Sequence, residues 1–326
     1  MKRTHGFQFA TSVKWAVCVL IFLFLGGGII SSVGAENPTP EFLIKQVVNT
    51  YRSLATYRVI GESITEGTKF DRGGETYTIT VRFSLTLKKP NLYRITWEED
   101  HPPYYFNSQG AAWNAGVQPY LYLQSLQAYM KVPTDLAALN TVAGVSKGAT
   151  YLIPQLFFPF YSPNNTRLEG LEEPRITGIE EIQGERCFVL TGGNDGLMVT
   201  YWISVERYLI RQYVHVEDLK KGTETIKKMT DKEVEQSLRS LGVEPTEIKK
   251  REVKDAFELT SKIRSKNHTQ IVATHYFSHI SLPVLTSEDL VFAVPEGIPL
   301  KEDIYESPIS VKAIEILLDQ AEKDRK

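Results

Sequence analysis

From Tyr77 to Leu87 hydrophobic and polar positions alternate without a slip. Tyr77, Ile79, Val81, Phe83, Leu85 and Leu87 fall on one side, and Thr78, Thr80, Arg82, Ser84 and Thr86 on the other. A period of two sustained this long predicts an antiparallel strand with one buried face. Tyr57–Thr65 reads as the strand before it, across the turn sequence Asp71–Glu75. Leu92–Trp97 reads as the strand after it, with Tyr93, Ile95 and Trp97 on one face. Pro90 and Asn91 mark the turn between them, because proline cannot donate into a ladder. Ala111–Asn114 is expected to fold back on Tyr104–Asn107 about Ser108-Gln109-Gly110, and Tyr120–Val132 to add one short strand.

Helical periods flank these strands. Glu41–Ala55 places apolar residues at 43, 44, 47, 48, 51 and 54, one face of a helix, with Pro40 near its first turn. Pro133–Phe160 is apolar but broken by glycines and prolines, which predicts short helices or a mobile apolar segment. Strands resume over Arg175–Ile182, Glu185–Leu190, Leu197–Ser204 and Tyr208–Val216, with Gly192–Gly196 as a hairpin turn. Between Glu217 and His268 the pattern changes, with 13 basic and 11 acidic side chains among 52 residues. Val234, Leu238 and Leu241 keep helical spacing there, and Pro245 starts a second helical stretch, so a solvated helical insertion is expected. Gln270–Ser281 returns to strand. Val311, Ile314, Leu317, Leu318 and Ala321 then share one face of a terminal amphipathic helix within residues 301–326. The element order predicts an α+β fold: a strongly curved antiparallel sheet, an incomplete β-barrel, with helices covering its concave side.

Composition narrows the class. The chain has 326 residues, 42% hydrophobic and 23% charged, with a net charge of −2, so nothing recommends a nucleic-acid partner. Residues 1–14 carry Lys2, Arg3 and Lys14 and no acid, and Trp15–Ile30 is apolar throughout. Val33 and Ala35 occupy the small-residue positions before a cut after Ala35, so residues 1–35 read as a secretory signal peptide. An uncleaved inner-membrane anchor is the alternative, although the apolar core is shorter than the roughly 20 residues of a bilayer span. Past residue 35 only Cys187 remains, in a strand-like run, so no internal disulfide is available.

Candidate chemistry is sparse. The sequence lacks a nucleophile elbow, a zinc-protease helix, a phosphate loop and a dinucleotide turn, so no catalytic residue and no metal ligand is assigned. His275 and His279 are four apart, but on a strand that separates them by roughly 13 Å. They read as strand histidines facing solvent or a polar contact. The aromatic positions stand above this background. A curved sheet encloses a cavity when its inward face exceeds what its own side chains fill.

The order of motifs resembles the LolA-like fold. It runs from a helix and a long alternating strand to Lys88-Lys89-Pro90-Asn91-Leu92-Tyr93 with Trp97, then to Gly110-Ala111-Ala112-Trp113. Tyr201–Ser204 and the closing VFAVPEGIPL follow. The likeness spans roughly Glu41–Leu300 apart from the charged insertion, and lies nearest the DUF2092 or outer-membrane-lipoprotein-sorting branch. It implies a half-barrel domain over residues 36–300 in the periplasm of a Gram-negative-type bacterium. It also implies binding of a lipid or lipoprotein acyl chain, with no enzymatic activity and no cofactor. The apolar lining is then expected from Tyr77, Ile79, Val81, Phe83, Leu85, Tyr93, Ile95, Trp97, Trp113 and Trp202. Leu152, Leu156, Phe157 and Phe158 are expected to form a lid. The insertion and the terminal helix depart from the basic pattern. They leave a second reading open: a structural or signalling module with a filled barrel, whose insertion binds an envelope protein partner.

Overall fold

The computed structural model describes residues 38–69, 75–100, 109–163, 165–194, 197–218, 230–240, 244–251, 253–255 and 268–301. The signal-peptide, 104–107 and terminal-helix expectations lie outside these residues. Twelve strands form one sheet: β1 (Thr56–Lys69), β2 (Glu75–Lys88), β3 (Leu92–Asp100), β4 (Gln109–Asn114), β5 (Tyr120–Leu123), β6 (Ala128–Lys131), β7 (Glu172–Ile182), β8 (Glu185–Asn194), β9 (Leu197–Ser204), β10 (Ile210–Asp218), β11 (His268–Ser281) and β12 (Leu300–Lys301). Their spatial order is β12-β6-β5-β4-β3-β2-β1-β11-β10-β9-β8-β7. Two meanders, β1–β6 and β7–β11, therefore join where β1 pairs with β11. All pairs are antiparallel except β12 with β6. The sheet is open and curved, an incomplete barrel.

Helices fill its concave side. Helix α1 (Pro40–Ser53) starts at Thr39, whose hydroxyl accepts from the Phe42 N–H, and it buries Leu43, Ile44, Val47 and Tyr51. The Tyr51 hydroxyl then accepts from the Ile210 N–H, tying the helix to β10. The connection between the meanders carries α2 (Asp135–Val145) and α3 (Leu152–Phe157) across the same face. Thr134 caps α2, and the Asp135 carboxylate accepts from both Asn91 and Asn114. The three helices and the inward sides of β1–β3 and β8–β11 share one buried apolar cluster. Of the two readings given for Pro133–Phe160, short helices hold: most of its apolar residues pack on the concave face, while Phe160 is left exposed.

A second, smaller cluster lies on the opposite face. Ala111, Trp113 and Tyr122 pack there with Phe292, Val294 and Ile298. The strap that carries Phe292 is fixed by ion pairing of Arg58 with Asp289 at 2.9 Å and by Lys88 donating to the Leu285 carbonyl. The charged insertion leaves the sheet between β10 and β11, which pair directly with each other. Its helix α4 (Asp231–Ser240) buries Val234 and Leu238, and Lys250 and Lys254 from the next helical stretch pair with Glu235 and Asp231.

Four local expectations are corrected. Gln109 and Gly110 are not a turn but the start of β4, paired with Glu98 and Trp97. Gly192 and Gly193 likewise extend β8. Tyr120–Val132 holds two strands, separated by a short 3-10 turn at Gln124–Leu126 that ends on Gln127 at φ 45°. His275 is buried, while His279 is exposed; the ladder shifts register near His279, whose φ is 48°.

Candidate functional site

The inward faces of six strands meet in one row. Tyr201 on β9 lies opposite Tyr213 on β10, and Tyr213 opposite His275 on β11. His275 faces Ser63 on β1, Ser63 faces Val81 on β2, and Val81 faces Glu99 on β3. At one end the rings stack, with centroids 5.2 Å apart for Tyr201–Tyr213 and 4.8 Å for Tyr213–His275. Arg167, from the segment after α3, donates to the Tyr213 hydroxyl at 3.0 Å. At the other end Glu99 receives Lys147 from the turn just after α2 at 2.5 Å. Burial, with His215 and the Arg167 charge adding to it, holds the His275 imidazole well below the usual histidine range.

On one side of this row the interior is closed. Val81, Phe83, Leu85, Tyr93, Ile95 and Trp97 are all at most 3% exposed and pack with the helices. Phe158 meets the Tyr93 ring edge-on, with centroids 6.2 Å apart. Leu152, Leu156, Phe157 and Phe158 are buried in the same cluster. On the other side the concave face opens into a groove of about 410 Å³. Its walls are Tyr77, Ile79, Thr65, Ile271, Ala273 and His215 from the sheet, Ala143 and Gly144 from the end of α2, and Lys147 and Gly148 from the turn after it. The cause is length: α2 stops at Val145, while β1, β2, β10 and β11 continue beyond it.

Two expected lining residues point elsewhere. Trp113 is the register partner of Arg94, not of an inward residue, and it stacks on Tyr120 at 5.3 Å on the outer face. Trp202 pairs with Val189, while its neighbours Tyr201 and Ile203 are the buried ones. The Trp202 indole N–H donates to Glu180 at 2.7 Å. Sequence reasoning missed Ser63, Glu99, Lys147, Arg167, Tyr213 and His215. Ser63 and Glu99 carried a signal, since they sit two residues from inward positions on strands with a strict period of two.

Other chemistry is weak. Among the described residues no three His, Cys, Asp or Glu side chains group closely enough to hold a metal. Cys187 is free and buried, and burial followed by the nearby Glu185 charge pushes its thiol up to about 11, which leaves it unreactive. The ion cluster of Glu185, Arg207 and Arg211 fastens the turn between β7 and β8 to β9 and β10.

The architecture is an open antiparallel half-barrel with helices on its concave side and a groove at their edge. The chain belongs to the family described as "Predicted periplasmic protein (DUF2092)", whose model matches residues 41–231. That match ends inside the charged insertion, short of the Leu300 limit the motifs imply. No curated protein matches the sequence. Similar solved structures include LprF from Mycobacterium bovis, at 9% identity, covering 76% of this chain and 94% of that one with a TM-score of 0.37. Lipoprotein LppX from Mycobacterium tuberculosis matches at 11% identity over 76% and 98% with a TM-score of 0.33. A LolA superfamily protein from Nitrosomonas europaea matches at 9% identity over 78% and 98% with a TM-score of 0.28. Likenesses this loose say nothing about a ligand or a partner.

Proposed function

We propose that this is a non-enzymatic periplasmic protein that binds an acyl chain of a lipid or lipoprotein, for transport within the envelope. The ligand enters at the groove between β2 and the end of α2. One observation carries the reading: the apolar inward stripe of β2 continues past the helices, so that Tyr77 and Ile79 line an open groove while Val81 onward is covered. A volume of about 410 Å³ lies within the span of ligand pockets, about 300–1,000 Å³. Burial of a chain there is favourable by about 25 cal/mol for each Å² of apolar area. Contact with Val81, Phe83, Leu85, Tyr93, Ile95 and Trp97 requires α3 to withdraw, with Leu152, Leu156, Phe157 and Phe158 acting as the lid.

The test is titration with a fluorescent fatty acid, together with mass spectrometry of an organic extract of the purified protein. Gly144 lines the groove, and a Cβ built on it meets nothing within 4 Å, so Gly144→Trp fills the opening without disturbing the core. Binding by the parent, lowered at least tenfold by Gly144→Trp, supports the reading. A parent that yields no lipid and binds no probe overturns it.

The closed half of the interior favours a second reading. Leu85, Leu87, Tyr93 and Ile95 are fully buried by the protein's own side chains. A filled half-barrel serves as a sensing module that docks an envelope partner through the insertion between β10 and β11. Under that reading, partner capture is lost when residues 219–267 are replaced by a short turn, and no acyl probe binds.

A further inference from the structure

Two polar groups face each other one inward step along β1 and β11 from the groove lining. Ser63 on β1 and His275 on β11 are register partners, and each is 1% exposed. Among the described residues neither Ser63 Oγ nor His275 Nε2 has a hydrogen-bond partner. Opposed residues of an antiparallel ladder hold their Cβ atoms about 4.5–5.5 Å apart, so both groups address one small volume. The next inward pair along the same two strands, Thr65 with Ala273, lines the groove. The polar pair thus lies one step, roughly 7 Å, deeper than the apolar walls.

Buried polar groups are nearly always satisfied, and two orphans side by side beneath a groove call for a ligand atom that satisfies both. The surroundings choose its type. Tyr213 stacks on His275, His215 stacks on it from the groove side at 5.5 Å, and Arg167 donates to Tyr213. No carboxylate takes part in these contacts, and the Arg167 charge lies close enough to disfavour a charged imidazole. A neutral imidazole keeps one N–H, and a serine hydroxyl supplies a second donor. Two donors beside a cationic side chain suit an oxygen acceptor.

We propose that Ser63 and His275 form the polar end of the ligand site and take the carbonyl oxygen of an acyl compound, a free acid or an ester. The hydroxyl donates through Oγ and the imidazole through Nε2, while the chain lies between Tyr77, Ile79 and the end of α2. This rests on the acyl-binding reading above, and it adds which end of the ligand is held and by what.

The experiment displaces the fluorescent fatty acid from the full chain with dodecanoate, methyl dodecanoate and dodecane. The parent, Ser63→Ala and His275→Phe are compared, each checked for folding by thermal melting. The expected result is that both carbonyl compounds bind the parent at least tenfold more tightly than dodecane. Each substitution then weakens those two by about tenfold and leaves dodecane unchanged, the size of one lost hydrogen bond. The tighter of acid and ester identifies the source of the acyl group. If dodecane matches the carbonyl compounds, or both substitutions shift all three ligands equally, the polar site is wrong and the apolar groove stands. If none of the three binds the parent, both readings fall together.

Discussion

Gly61 and Phe83 face each other across β1 and β2, and a Cβ on Gly61 would lie 2.2 Å from the Phe83 ring. The same arrangement recurs at Gly67 beneath Tyr77 and at Gly110 beneath Trp97, with approaches of 2.5 and 2.3 Å. Three large inward aromatics each occupy the space over a glycine of the neighbouring strand, a device that curves a sheet while keeping its rings packed.

Gly61→Ala and Gly110→Ala therefore overpack the interior. Each is expected to cost about 1–3 kcal/mol, read from urea unfolding. Gly178 on β7 has nothing within 4 Å of its Cβ direction, and Gly178→Ala is expected to stay within about 0.5 kcal/mol. Equal effects at all three sites would show that the rings do not rest on the glycines.

Lys147 fastens the end of α2 to β3. It sits at φ 55° and reaches Glu99, whose side chain is only 5% exposed. Lys147→Met leaves that carboxylate buried beside an apolar group. The expected loss is about 1–3 kcal/mol, with faster amide exchange in α2. Adding Glu99→Gln is expected to restore part of it, which a double-mutant cycle measures.

Much of this architecture was legible. The period of two over Tyr77–Leu87 placed β2 and its buried face, because each inward residue there is apolar and each outward one polar. The same logic failed at Trp113 and Trp202. Tryptophan suits either face of a sheet, and a choice between faces needs the register, which Arg94 and Val189 supply only once the strands are paired. Gly110 read as a turn because glycine usually breaks a strand, yet here it accommodates the Trp97 ring. The opposite exposures of His275 and His279 depended on the left-handed residue His279, which no periodicity announces. The groove itself follows from helix and strand lengths, and these are set by the end of α2, not by a motif.

Ser63→Ala removes a buried hydroxyl that has no partner among the described residues. An unsatisfied buried polar group costs about 1–3 kcal/mol, so the substitution is expected to stabilise the ligand-free protein by about 1 kcal/mol. A rise in thermal midpoint, together with weaker binding of carbonyl ligands, separates a ligand-facing serine from one that merely supports the fold. A fall in the midpoint would mean that Ser63 makes a stabilising contact.

His275 predicts how stability varies with pH. Its folded form is held well below the histidine range, first by burial, then by His215 and Arg167. In the unfolded chain it titrates near 6.5. Below that pH the unfolded state binds a proton that the folded state refuses, so stability falls as pH drops through 6.5 and stops falling only below the folded value. The groups packed around the ring, Tyr213, His215, Ser63 and Arg167, include no acid that would reverse the sign. Carboxylates held low, such as Asp289 at about 2 and Glu185, contribute losses at more acidic pH. Between pH 7 and 5 the histidine is therefore expected to remove up to about 2 kcal/mol, measured as a shift of the urea midpoint. His275→Phe is expected to flatten that limb while leaving the more acidic one in place. An unchanged slope in the variant would mean that another group carries the titration.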